Sequence, residues 1–199
     1  PPSLHAALSH WVRTGHAGAG RQNISFAGTS ESHEDDIIFG PTTLLELSDE
    51  LSVRVREMMR PLAEQFCECS LERGAQVFGV RVYHSGASLA MHLDQPHAWV
   101  VSASLSLTDQ RWPLVLEGRG IAGGQMITLE DSQALMYEGA RVYHGRPQPL
   151  RGGDYAGVFV GFVPASWPDE MGWATWAIVS LSNALQPSHT LSTFYGGDS

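Results

Sequence analysis

Between Gln76 and Val163 the apolar residues fall in short runs, many of them alternating with polar ones, and Gly, Asp and Pro separate the runs. Eight such segments can be marked: "QVFGVRVY", "SLAMHLD", "AWVVSASLSL", "PLVLEG", "GQMITLE", "QALMYEG", "VYHGRP" and "AGVFVGFV". A period of two predicts strands, and no helical period interrupts them. Eight closely spaced strands point to an antiparallel double-sheet roll and away from a parallel βα fold. The alternation is clearest at 98–107, where Trp99, Val101, Ala103, Leu105 and Leu107 share one face and Ser102, Ser104 and Ser106 the other.

The first 73 residues have a different texture. "SLHAALSHWV" predicts a short amphipathic helix that runs out into "GHAGAG". Apolar positions at 44, 47, 51, 55, 58, 62, 66 and 69 step by three and four, which predicts a second helix burying one face. Pro61 predicts a kink or a junction of two helices. The acidic "SESHEDD" is expected as a solvated loop. Beyond Ala165, "AIVSLSNALQPSHT" has the makings of a helix packed on the roll. The expected organisation is a single domain over 1–199: a helical part to about 73, a roll over about 75–164 and a tail over 165–199. The fold class is mainly β with flanking helices (α+β), with the N-terminal helices packed on one sheet.

Composition narrows the function. A hydrophobic content of 43% in 199 residues suffices for a core. Twelve basic against 21 acidic residues, a formal charge of -9, disfavour a phosphate-tracking surface and so a nucleic-acid partner. No apolar run approaches the roughly 20 residues of a membrane-spanning helix. Cys67 and Cys69 stand too close for an ordinary disulfide and are expected as plain helix residues. Without a disulfide framework, a cytoplasmic setting is expected. The chain starts at Pro1, which reads as a trimmed end, so a targeting segment is out of view.

One strand carries unexpected side chains: "LAMHLDQPH" sets His92, Asp94 and His97 among apolar residues. Positions i and i+2 of a strand point the same way, so His92 and Asp94 present an imidazole and a carboxylate together. They supply two parts of the 2-His-1-carboxylate arrangement that holds non-haem Fe(II), and His144 is the candidate third ligand. Alone, the pair has a plainer source, a histidine hydrogen-bonded in a core. A second histidine some fifty residues on, in a late strand of the same roll, strengthens the metal reading.

The stretch from Val77 to Pro164 resembles the Fe(II)- and 2-oxoglutarate-dependent dioxygenases, on the prolyl 4-hydroxylase-like branch. The likeness runs through "VFGVRVYHSGASLAMHLDQPHAWVVSASLSL", "RWPLVLEG" and "LMYEGARVYHGRPQPLRGGDYAGVFVGFVP". That branch's lead-in, a tyrosine with glycine three and histidine nine residues later, is matched by Tyr83, Gly86 and His92. The resemblance implies a double-stranded β-helix, iron on His92, Asp94 and His144, and hydroxylation of an unactivated C–H bond. O2 and 2-oxoglutarate would be consumed, and succinate and CO2 released. Related halogenases lack the carboxylate; with Asp94 present, hydroxylation is the expectation. The implied substrate is a peptide, prolyl residues included, or a small molecule.

One departure concerns the co-substrate. Prolyl hydroxylases carry a lysine about ten residues beyond the second histidine to meet the distal carboxylate, and this chain has Asp154 and Tyr155 there. Arg146, two residues beyond His144 and facing the same way, is the favoured substitute, with Arg151 the other and Tyr83 supplying a hydroxyl. His84 is expected to be structural. His97 is read either as a solvated loop residue or as a substrate contact. Trp99 and Trp112 are expected in the core, with either able to floor the substrate cleft, and Tyr137 and Tyr143 flank the distal histidine. A non-catalytic roll that binds metal or ligand is the alternative, with the missing lysine its best support.

Overall fold

The computed structural model describes residues 3–18, 37–118 and 124–167, together with positions 177 and 181. The segment "SESHEDD", Trp173, Trp176 and nearly all of the expected C-terminal helix lie outside the described residues.

Helix α1 spans Leu4–Gly18 and α2 Asp49–Cys67. Strands β1 (Ile38–Phe39) and β2 (Thr42–Leu45) lie between them. The roll follows as β3 (Gln76–Tyr83), β4 (Ser88–His92), β5 (Val101–Ser106), β6 (Leu114–Glu117), β7 (Gln125–Ile127), β8 (Ala134–Tyr137), β9 (Tyr143–Arg146) and β10 (Tyr155–Phe162). Seven of the eight segments marked by alternation contain one of these last eight strands, and β10 starts one residue ahead of its segment, at Tyr155. Pairing is antiparallel throughout, in two five-stranded sheets ordered β1-β4-β9-β6-β7 and β2-β3-β10-β5-β8. The fold is mainly β with flanking helices, a jelly roll.

The second sheet is apolar on the outside of the roll. Val80 and Val82 of β3, Val101, Ala103 and Leu105 of β5, and Ala156, Val158, Val160 and Phe162 of β10 form the main core with Leu4 and Leu8 of α1 and Val55, Met59 and Ala63 of α2. The opposite face carries Arg81 and Tyr83 of β3, Phe159 of β10 and Ser102, Ser104 and Ser106 of β5, and it looks into the roll toward β4, β6 and β9. The alternation at 101–107 thus separates a helix-covered side from an interior side.

Two expectations about the helical part are corrected. Leu44 does not begin a helix: it lies in β2, paired with Arg81 of β3, and α2 starts after Ser48, whose side chain caps it by accepting from the Leu51 N–H. The buried stripe is Leu51, Val55, Met59 and Ala63, while Met58, Leu62 and Phe66 are 51%, 47% and 45% exposed. Both stripes satisfy helical spacing; the sheet receives the one that ends in small Ala63. The helix passes through Pro61 without splitting in two.

Cys67 and Cys69 also differ from expectation, because they form a disulfide. The helix ends between them: Glu68 adopts a left-handed backbone (φ 51°), and this turn brings the two Cα atoms to 5.1 Å. In a continuing helix the two side chains would diverge around the axis.

The register of α2 is directly testable. Met59→Ala should lower unfolding free energy by about 2–5 kcal/mol, and Met58→Ala by no more than about 0.5 kcal/mol, measured by urea denaturation. The reverse order would mean the helix presents the other stripe.

Candidate metal centre

The roll brings His92, Asp94 and His144 to one point, with one ligand-type atom from each lying within 4.8 Å of the others. His92 is the last residue of β4 and faces His144 of β9 across the ladder, the rings 4.3 Å apart. Asp94 lies just past the strand. Its backbone N–H is held by the Gly139 carbonyl at 2.9 Å, so the side chain still turns to the same side. The Asp94 Oδ1 sits 3.4 Å from Nε2 of each histidine. A Cβ at Gly139 would collide with the Asp94 carboxylate and the Ser102 hydroxyl, so only glycine fits there.

Hydrogen bonds orient all three. Nδ1 of His92 lies 2.9 Å from the Ala90 carbonyl and Nδ1 of His144 2.9 Å from that of Val142. A proton on each Nδ1 satisfies those carbonyls and leaves both Nε2 lone pairs aimed at the common point. The Ser102 hydroxyl donates to Asp94 Oδ2 at 2.6 Å, which leaves Oδ1 for whatever occupies the centre. Two imidazoles and one carboxylate on one side of a point, with the other side open, form a donor set for a divalent transition metal.

The electrostatics are strongly coupled. Burial alone would raise the Asp94 carboxyl, but the charge and hydrogen bond of His144, and those of His92, hold it well below the usual carboxylate range. Burial pulls His144 down, and Asp94 with the Val142 carbonyl more than reverses this, so its pKa ends up raised. His92 is lowered, by burial first and then by His144. Tyr137, whose ring lies 4.6 Å from that of His144, is pushed well above its ordinary value by burial and by Asp94, so it stays a neutral hydroxyl.

The two histidines, Asp94 and Tyr137 line a cleft that opens to solvent. Its other walls are mostly apolar, among them Ile38, Leu44, Leu89, Leu114 and Phe159, with Phe78 and Trp99 stacked on each other and Arg81 and Gln95 adding polar groups. Tyr83 lines it too, buried against Trp112. Arg146 is almost fully buried (1% exposed). Its guanidinium donates to the Tyr155 hydroxyl at 2.8 Å and to the Trp112 carbonyl, and stacks against both rings. Its Nε, and the buried Ser104 hydroxyl, have no hydrogen-bond partner among the described residues.

The remaining candidates fall elsewhere. Arg151 is exposed in the turn after β9, where its carbonyl accepts from Gln110. His97 is exposed. His84 bonds Thr43 at 2.9 Å and Asp154 at 3.0 Å, so the aspartate standing where prolyl hydroxylases have lysine is tied to a structural histidine. Trp112 is core, whereas Trp99 lines the cleft. Sequence reasoning missed Ser102 and Gly139 as supports of Asp94, and Gln95 and Arg81 as cleft residues. Arg81 was within reach, since it stands two residues before Tyr83 on one strand.

No family model matches the sequence, and no curated protein matches it. Solved structures do match its fold. A prolyl-4-hydroxylase from Pseudomonas putida aligns at 17% identity and a TM-score of 0.54, over 83% of this chain and 89% of that one. A Trichoplax adhaerens prolyl hydroxylase, in complex with a hypoxia inducible factor oxygen degradation domain peptide fragment, aligns at 11% identity and 0.55, over 89% and 82%. HygX from Streptomyces hygroscopicus, with nickel and 2-oxoglutarate bound, aligns at 10% and 0.52, over 85% and 83%. The fold is therefore shared with 2-oxoglutarate- and Fe(II)-dependent oxygenases.

Linkage fixes how this cluster affects the metal-free chain. The contribution of His144 is full below the ordinary histidine pKa and fades as pH rises through its raised value. That of Asp94 is present above the ordinary carboxylate pKa and is lost as pH falls through its lowered value. His92 opposes both by favouring unfolding once pH drops below the ordinary histidine value. In metal-free Asp94→Asn, His144 should titrate at lower pH than in the wild type, read from its imidazole resonances by NMR. An unchanged titration would show that Asp94 does not hold the His144 proton.

Proposed function

We propose that this chain is a single-domain Fe(II)- and 2-oxoglutarate-dependent oxygenase that hydroxylates an unactivated C–H bond, consuming O2 and releasing succinate and CO2. The observation that carries the reading is the convergence of two Nδ1-anchored imidazoles and one carboxylate on a cleft inside a jelly roll. The donor set fits Fe(II): two neutral nitrogens and one anionic oxygen on one side, with the cleft opposite for exchangeable ligands.

In this reading His92, Asp94 and His144 hold the metal, and Ser102 keeps Asp94 turned with Oδ1 inward. The distal carboxylate of 2-oxoglutarate is assigned to Arg146, with the Tyr83 hydroxyl beside it. The unpartnered Nε of Arg146 supports this, and the exposure of Arg151 argues against that residue as the anchor. Bound iron with 2-oxoglutarate supplies the oxidising power for C–H hydroxylation. The protein's part is to position both, to keep water out with Leu89 and Leu114, and to hold Tyr137 protonated. HygX, which binds nickel and 2-oxoglutarate, supports the co-substrate, and the peptide complex of the Trichoplax enzyme supports a peptidyl substrate. The concave, mostly apolar cleft suits a small molecule equally.

A second reading has one observation in its favour. Arg146 already bonds Trp112 and Tyr155 and does not itself line the cleft, which suits a metal-binding module without a co-substrate.

Anaerobic Fe(II) and 2-oxoglutarate, followed by visible absorption, separate the two readings. The oxygenase should give a weak charge-transfer band, lost in His92→Ala and His144→Ala. Arg146→Met should require much more 2-oxoglutarate to reach the same band while leaving Fe(II) affinity nearly unchanged. Iron binding without any band would favour the module, and no iron binding would sink both. Ser102→Ala should weaken Fe(II) affinity by about 10–100-fold, measured by competition with a chelating dye.

A further inference from the structure

Apart from the metal-centre histidines, Arg81 is the one basic residue among the described residues lining the cleft. Its position follows from β3. A bulge sets Phe78 and Gly79 together opposite Phe159: Val77 pairs Val160 and Val80 pairs Val158, leaving two residues against one. Gly79 takes φ +112°, and a Cβ there would strike the Leu45 carbonyl. The bulge brings Phe78 to the cleft while Val77, Val80 and Val82 keep facing the main core. Arg81 and Tyr83 then follow Gly79 along the interior side.

Phe78 meets Trp99 with ring centroids 5.1 Å apart and planes 10° from parallel. Trp99 lies against the bare Cα of Gly161, whose missing side chain makes room for the indole. Leu44 and Phe159 continue the apolar surface, and Gln95, next to Asp94, adds one polar group whose buried Oε1 has no hydrogen-bond partner among the described residues. One guanidinium, one amide oxygen and an aromatic wall thus face the same space as the metal centre.

We propose that the substrate of this cleft is a small organic acid with a flat apolar body: Arg81 pairs with its anionic group, and the body lies along the Phe78–Trp99 wall. This deepens the oxygenase reading and rests on it. Charge complementarity carries the assignment, because a cation inside a mostly apolar cleft of a chain with net charge -9 offers an anion its partner there. Arginine suits carboxylate through its two-pronged donor geometry. Arg81 already makes a contact within the chain, which a bound anion would share or replace.

The test compares 3-phenylpropanoate with its neutral amide, 3-phenylpropanamide, by equilibrium dialysis against full-length protein, both metal-free and loaded anaerobically with Fe(II) and 2-oxoglutarate. The acid should bind roughly 10-fold or more tightly than the amide. Arg81→Met should erase that preference, Arg81→Lys should keep most of it, and Trp99→Ala should weaken both ligands alike. Thermal melts of each variant check folding. Equal binding of acid and amide, or an acid preference that survives Arg81→Met, would overturn the proposal. So would loss of the charge-transfer band in Arg81→Met, since Arg81 would then serve 2-oxoglutarate. A wild-type protein that shows no band but keeps an Arg81-dependent acid preference would refute the oxygenase reading alone and leave the anion site standing.

Discussion

Burial of the outward face of the second sheet against α1 and α2 is the interaction on which the rest of the molecule depends. A jelly roll that filled its own interior with Val and Leu would be stable and useless as a container. Here β3, β5 and β10 place Val80, Val82, Val101, Leu105, Val158, Val160 and Phe162 outward, under the helices. The area removed from water on that side stabilises the fold at roughly 25 cal/mol per Å², and it leaves the interior face free to carry Ser102, Ser104, Arg81 and Tyr83. Those polar residues would be expensive in a core whose stability relied on them.

The candidate metal centre exploits a second consequence of strand geometry. His92 and His144 come from neighbouring antiparallel strands, so the ladder itself sets their separation. Asp94 lies beyond the end of its strand, where no ladder holds it, and the fold compensates with a backbone hydrogen bond from the Asp94 N–H to the Gly139 carbonyl and a side-chain one donated by Ser102. With each histidine Nδ1 on a backbone carbonyl and Asp94 Oδ2 on Ser102, the side-chain atoms of these three residues that are not aimed at the centre are occupied. Preorganisation of this kind lets a buried, charged cluster persist without collapsing onto its own hydrogen bonds.

Beyond the centre, two guanidiniums lie at different depths, and of these only Arg81 lines the cleft. Arg146, on the strand that carries His144, sits against Trp112 and Tyr155, which in turn pack on Tyr83. Arg81 projects into the cleft from the opposite sheet, past the bulge that turns Phe78 inward. The two guanidiniums stand on facing sheets, one fully buried on β9 and one half-buried on β3.

The strands of the roll were legible because alternation over β3 to β10 is a local property; His92 and Asp94 do share a side, but β4 ends at His92 and the Gly139 carbonyl, not the ladder, holds Asp94 there. The chance that His144 would join them was readable as spacing. Three things were not. The stripe that α2 buries depends on which side chains the sheet can accept, and Met58 and Met59 are equivalent until the partner surface exists. Cys67 and Cys69 pair because the helix stops at Glu68, a left-handed turn that no propensity of Glu announces. Arg81 and Trp99 become neighbours of the metal centre only through a bulge and a bare glycine on different strands. Sequence by itself determined the strand pattern and the chemistry available at 92, 94 and 144, because both follow from period and residue type. Tertiary structure alone decided which face became interior, since inside and outside are relations between two surfaces, and a single strand possesses only one of them.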